Sequence, residues 1–359
     1  MGFRINLIVK KIVKNFFAED STRQIWRGKT VVRTCIEPKQ GRKRSKILPV
    51  IALLILSIAG CNQSPTEQQA ASQEQPSVKK TKIVTTFLPI YWFTKAVAGD
   101  VAEVEILVPP GTEVHEYQAK PENVRAIATA NILVKNGLGL EEFLEETVKN
   151  AQNPKLTEID TSKGIKPVKE ISPIVKTSKE EKDHDHDHEH AGGNPHIWLD
   201  PVMAKQQVIN IRDGLIAADP QNKATYEANS AAYIQQLDQL NSQFQQTLQK
   251  YPNCTFITFH DAYPYLAQRY NLKQVAVVEI PEDQLSPTDV QNAVNAVKKY
   301  QVKALLTEPG TDNKLLNSLS QDLKLNVQTL DSLENGEPDP QHYFQAMKAN
   351  LQTLEAACK

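Results

Sequence analysis

Metal-binding chemistry concentrates in one stretch, DHDHDHEHAGGNPHIWLDP, residues 183–201. Five of the chain's eight histidines fall within thirteen positions there, His184 to His196. His184, His186, His188 and His190 alternate with acids, whereas His196 sits apart in an apolar, proline-bracketed run. Imidazole is the commonest biological metal ligand, and carboxylates are the next donors to hand. The alternating tract has no apolar face and cannot fold alone, so it reads as loose auxiliary metal capture or as an inert polar loop. His196 reads as an ordered donor.

Three more residues join it. His115 lies in PPGTEVHEY, His260 directly follows CTFITF, and Asp331 follows NVQTL. Each has a dull alternative. A lone histidine is more often hydrogen-bonded or at the surface, and Asp331 suits a turn. Together, three imidazoles and a carboxylate make a four-coordinate set for Zn(II). Glu308, after VKALLT, reads as an outer partner that orients a histidine or as a surface acid. His342, on the last helix, reads as surface. NGLGL (136–140) lacks the spacing of a dinucleotide fingerprint and reads as a strand-to-helix turn.

The elements that must position these residues alternate. KIVTTF (82–87), VEILVP (104–109), NILVKNG (131–137) and KLTEID (155–160) read as strands. Helical patterns separate them, one with Pro121 at its first position. A loop over 161–195 interrupts the series and carries the His/acid tract. PVMAKQQVINIRDGLIAAD then begins a long helical region. Over 220–250, Tyr226, Ala232, Tyr233, Leu237, Leu240, Phe244 and Leu248 fall at helical spacing. About 30 helical residues span about 45 Å.

The alternation resumes with strands at 254–259, 273–280, 302–309 and 326–331. Ser286 is placed as an N-cap with Pro287 at N1, and a closing helix starts near Pro340. The expected fold is α/β: two lobes, each a four-stranded parallel sheet with flanking helices, joined by one long rigid helix. In open parallel sheets ligands sit beyond the carboxyl ends of the strands, where all four candidate donors lie.

Residues 1–60 hold 13 Lys+Arg and 3 Asp+Glu, a net of +10. The rest holds 28 against 39, a net of −11, which argues against nucleic acid as a partner of the mature protein. GRKRSK followed by the apolar run 47–60 reads as an export signal, too short for the ~20 residues of a membrane span. Ile-Ala-Gly-Cys at its end resembles a bacterial lipobox, which implies cleavage before Cys61 and lipid attachment to it. A plain short signal peptide or a buried helix are the alternatives. Residues 1–40 fit either an over-extended start or a basic amphipathic segment. Residues 61–80 form a polar tether. The expected divisions are 1–60, 61–80, an N-terminal lobe over 81–219, a linking helix over 220–250, and a C-terminal lobe over 251–359. Cys254 and Cys358 remain as an even pair in an exported protein, either bridged or as two buried thiols.

The ordered runs VPPGTEVHEYQAKPENV, NGLGLEEFL, NPHIWLDP, TFHDAYPYLAQRY, TEP and TLDSL closely resemble those of the zinc/manganese solute-binding lipoproteins of ABC importers. The resemblance covers about 82–358. It implies the two-lobed fold, with His115, His196, His260 and Asp331 at the metal positions, and delivery of the ion to a membrane permease by a monomeric, membrane-anchored protein. Manganese-type relatives often carry a carboxylate at the third position, where this chain has His260; the nitrogen-rich set favours Zn(II) over Mn(II). The acidic His tract resembles the metal-rich loops of zinc-type members. Four protein donors leave no place for an activated water, so no enzyme activity is expected. A metal-dependent hydrolase would need an open position, and the chain lacks HExxH. An adhesin on the same scaffold is the third alternative.

Overall fold

The computed structural model describes residues 80–169, 172, 192–278, 287–302, 304–309 and 314–359. His184, His186, His188, His190, Cys61 and Ser286 lie outside the described residues.

The first half builds β1 (Thr81–Thr85), α1 (Leu88–Ala98), β2 (Ala102–Ile106), α2 (Pro121–Thr129), β3 (Ile132–Lys135), α3 (Leu144–Ala151) and β4 (Thr157–Asp160). These strands form one parallel sheet in the order β2-β1-β3-β4. The second half builds β5 (Thr255–His260), α6 (Pro264–Arg269), β6 (Lys273–Val278), α7 (Pro287–Tyr300), β7 (Ala304–Thr307), α8 (Lys314–Leu323), β8 (Asn326–Thr329) and α9 (His342–Cys358). Its sheet is also parallel, in the matching order β6-β5-β7-β8. Two four-stranded parallel lobes therefore stand as the alternation implied. Strand ends are shorter than the apolar runs, because residues such as Thr86, Leu107 and Val108 are buried beyond the last ladder pair.

Between the halves lie α4 (Pro201–Ala218) and α5 (Lys223–Leu248). Pro201 supplies a preset φ at the first turn of α4, and the Asp200 carboxylate caps it by accepting from the Val202 N–H at 2.8 Å. The 26 residues of α5 span about 39 Å at 1.5 Å each. Its buried side is Tyr226, Ser230, Tyr233, Leu237, Leu240, Phe244 and Leu248, a continuous 3–4 spacing. Ala232, placed on that stripe from sequence, is exposed; Ser230 takes the inner position. α5 packs on α4, on α1 of the first half and on α9 of the second.

One apolar cluster runs through both lobes, from Ile83 and Phe93 through Tyr233 and Phe244 to Tyr343 and Met347. Each such large side chain contributes about 1.5–3 kcal/mol on full burial. The lobes thus share a core, consistent with all described residues belonging to one compact unit. A disulfide joins Cys254, just before β5, to Cys358 at the end of α9.

Candidate metal centre

His196 stands at the middle of the site. It immediately precedes a single 3-10 turn, Ile197–Leu199, whose three residues are fully buried and lock its backbone into the core. Its Nε2 lies 3.2 Å from His115 Nε2 and 3.2 Å from His260 Nε2. His115 comes from the loop after β2, and His260 is the last residue of β5. All three imidazoles are buried.

The tautomers of two rings follow from their neighbours. Asn194 Nδ2 donates to the Asp261 carbonyl at 2.7 Å, which turns its Oδ1 towards His196. That oxygen accepts from the His196 backbone N–H at 3.1 Å and faces Nδ1 at 3.0 Å, so Nδ1 carries the proton. His260 Nδ1 lies 2.7 Å from the Glu308 carboxylate, which is buried, and donates to it. In the neutral rings both Nε2 atoms then present lone pairs to the same point. Lone pairs 3.2 Å apart repel unless a cation lies between them. A tetrahedral ion with Zn–N bonds of about 2.0–2.1 Å would hold its nitrogens about 3.3 Å apart. Both separations at His196 match that spacing.

The electrostatics agree. Burial lowers the His260 pKa and is the largest single influence, but the charge and hydrogen bond of Glu308 override it. The net direction is above the ordinary 6.5. The carboxylate thus makes this ring a stronger base, and so a stronger donor to a metal.

Three histidines from sequence are brought together here, and Glu308 stands behind one of them. The carboxylate that joins them is Glu334, not Asp331. One donor atom from each of His115, His196, His260 and Glu334 lies within 4.8 Å of the others. Asp331 is not in that group; its Oδ1 accepts from the Leu333 N–H at 2.7 Å and closes a turn. Leu333 has φ +66°, a left-handed conformation that a bulky residue adopts only where surroundings impose it. This turn carries the chain past Asp331 and brings Glu334 round to the imidazoles. Burial holds the Asp331 carboxyl above its usual range, with the Leu333 N–H acting against that.

Sequence reading also passed over Asn194 and Glu113. Asn194, two residues before His196, is a usual place for an Asx side chain that bonds forward to backbone. Glu113 accepts from the backbone N–H groups of Val114 and His115 at 2.9 and 3.2 Å, and reaches within 3.9 Å of His115 Nε2. Tract positions His184, His186, His188 and His190 lie outside the described residues.

Two parallel-sheet lobes braced by one long helix, with a nitrogen-rich donor set where the lobes meet, define a metal-type solute-binding protein. The chain belongs to the family described as zinc-uptake complex component A, periplasmic, which matches residues 83–357. It is 32% identical over 314 residues to the high-affinity zinc uptake system protein ZnuA of Bacillus subtilis (strain 168), covering 85% of this chain and 95% of that one. It is 35% identical over 296 residues to the zinc-binding lipoprotein AdcA of Streptococcus pneumoniae (strain ATCC BAA-255 / R6). That match takes in 80% of this chain but 57% of AdcA. Among solved structures, a crystal structure of ZnuA superimposes with a TM-score of 0.67 at 28% identity, over 78% of this chain and all of that one.

Proposed function

We propose that this protein captures Zn(II), in preference to Mn(II), and delivers it to the permease of an ABC importer. The observation that carries the reading is the meeting of three Nε2 atoms around one point, two with their opposite nitrogens already committed as donors. His115, His196 and His260 are the nitrogen donors. Glu334 is the fourth donor, in the place given to Asp331 from sequence; Asp331 instead holds the turn that aims it. Glu308 and Asn194 fix ring orientation. A nitrogen-rich set favours zinc, whereas manganese suits oxygen donors.

Four protein donors leave no coordination position for an activated water, so the act is binding and release rather than catalysis. Membership of a zinc-uptake family supports handover to a permease. The basic head and the Ile-Ala-Gly-Cys run support export and lipid anchoring through Cys61, with 61–80 as the tether. The working division is a lobe over 81–219, a linking helix over 220–250 and a lobe over 251–359. The acidic balance of the mature part speaks against nucleic acid, and nothing in the reading requires more than a monomer. His184, His186, His188 and His190 serve as auxiliary capture in the 161–195 loop; deleting 183–190 should slow uptake at scarce zinc, and unchanged uptake removes that role.

Calorimetric titration of the mature protein with zinc and with manganese tests the main reading. One tight zinc site, lost in His115→Ala, His196→Ala and His260→Ala, is expected. Equal or tighter manganese binding, or alanine variants that bind zinc as before, overturns it.

A further inference from the structure

The segment after β8 changes lobes. Up to Asp331 it is fastened to the C-terminal lobe. Tyr263 Oη donates to the Leu330 carbonyl at 2.9 Å, and the Asn350 amide of α9 brackets the Asp331 backbone, accepting from its N–H and donating to its carbonyl at 2.8 Å each. Beyond Asp331 the fastenings come from the N-terminal half. Trp198 Nε1 donates to the Ser332 carbonyl at 2.8 Å. The Gly111 N–H donates to the Glu334 carbonyl at 3.1 Å. Trp92 Nε1 donates to the Glu337 carbonyl at 2.8 Å. The left-handed Leu333 marks the crossing point.

Two glycines permit the close fit. Gly111 has φ +77°, and a Cβ there would lie 2.9 Å from Asn335 Oδ1. Gly336 has φ +143°, and a Cβ there would lie 2.4 Å from His342 Nε2, whose ring is itself stacked on Trp92 with centroids 5.4 Å apart. A side chain at either position would strain the backbone and displace the Asn335 amide or the His342 ring.

We propose that residues 332–337 form an inter-lobe strap that keeps Glu334 on the N-terminal side of the centre, with Trp92, Gly111 and Gly336 as its positioning residues. The sequence suggested two donors from each lobe. With the strap in place the division is three against one: His115, His196 and Glu334 move with the N-terminal half, and His260 alone moves with the C-terminal sheet. Separation of the lobes then withdraws one imidazole first, and the strap sets how firmly the remaining three donors hold the ion. This inference rests on the zinc reading above.

Zinc dissociation rates, measured by mixing loaded full-length protein with excess chelator, test it. Trp92→Phe and Gly336→Ala are each made alone and combined with Glu334→Gln. Each alone should release zinc about tenfold faster, the low end for groups that orient a metal ligand, with the association rate unchanged. Combined with Glu334→Gln, the further acceleration should shrink below about twofold, because groups acting through one another are not additive. The same tenfold acceleration in both backgrounds, or none in either, overturns the strap. Gly336→Ala lies in a loop and removes no core side chain, so it answers the question even if Trp92→Phe folds poorly. Wild-type protein that does not retain zinc contradicts the zinc reading itself, an outcome distinct from a failure of the strap.

Discussion

The two lobes share one strand order, yet they place different chemistry at the same point of it. In an order of this kind the crevice opens beyond the carboxyl ends of the first and third strands, where the chain departs in opposite directions. In the N-terminal lobe that point holds Thr86 after β1, Asn136 after β3, and the Glu141 carboxylate between them. Glu141 accepts from Thr86 Oγ1 at 2.7 Å, from the Asn136 N–H at 2.6 Å and from the Gly137 N–H at 3.1 Å. In the C-terminal lobe the same point holds His260, which ends β5, and Glu308, which follows β7. Both carboxylates are buried. The first is consumed by donors of its own loop and by the hydroxyl at the end of β1. The second spends its charge on an imidazole whose other nitrogen faces His196. An equivalent position can contribute one donor to the proposed metal centre when the carboxylate's partner has a second donor atom to offer. The N-terminal lobe supplies its proposed donors from elsewhere, a loop after β2 and the entry to α4.

This contrast is broken most severely at His196, which touches both other imidazoles. His196→Ala should weaken zinc binding by more than the ~100-fold that bounds outer-partner effects. Calorimetry checks it, and a smaller loss means the central ring is not shared. Next come the paired carboxylates. Glu308→Gln should weaken zinc binding by about 10–100-fold. Glu141→Gln should leave zinc affinity unchanged but lower unfolding stability by about 1–3 kcal/mol, since one N–H then faces an amide donor. Urea melts and competition titrations separate the two; equal losses of zinc affinity would erase the distinction between the lobes.

The sheets were legible in sequence because short β-branched runs alternated with capped helices, and Pro121, Pro201 and Pro287 marked helix starts that the structure keeps. His260 was legible because it directly ends an apolar run, and His115 and His196 because each stands alone in a Pro/Gly-marked loop, one after β2 and one before the 3-10 turn that leads into α4. Glu334 was not. Its place depends on a left-handed Leu333, and no side-chain pattern signals that a leucine will take such a backbone. Asp331 is the acid nearest the strand end, which is why the sequence points to it, and its hydrogen bond to the Leu333 N–H is made only once the turn exists. The three-against-one division was hidden for the same reason: chain order assigns residues 332–337 to one lobe, and their hydrogen bonds hold them to the other.

A smaller effect is the pH dependence. Zinc competes with the proton for His260, whose pKa is raised above 6.5. Affinity should therefore be full at higher pH and begin to fall above 6.5 as pH decreases. Glu308→Gln removes the largest raising influence and leaves burial opposed only by the charges of Glu113 and Asp261, so the fall should start at lower pH. Dissociation constants from chelator competition across pH check the sign. The smallest effect on zinc is expected from the disulfide. Cys254 lies about 20 Å from His260 along β5 at ~3.3 Å per residue, at the far end of the sheet from the metal. Replacing Cys254 and Cys358 by Ala should cost about 2–5 kcal/mol of stability, for a link closing a separation of 104 residues, with zinc affinity intact.

X-ray absorption at the zinc edge bears most directly on the shared centre, measured on loaded protein lacking residues 183–190 so that the tract adds no imidazoles. Three nitrogen donors with imidazole scattering and one oxygen donor, at about 2.0–2.1 Å, are predicted. Two or fewer imidazoles per zinc would contradict a single ion held between the lobes.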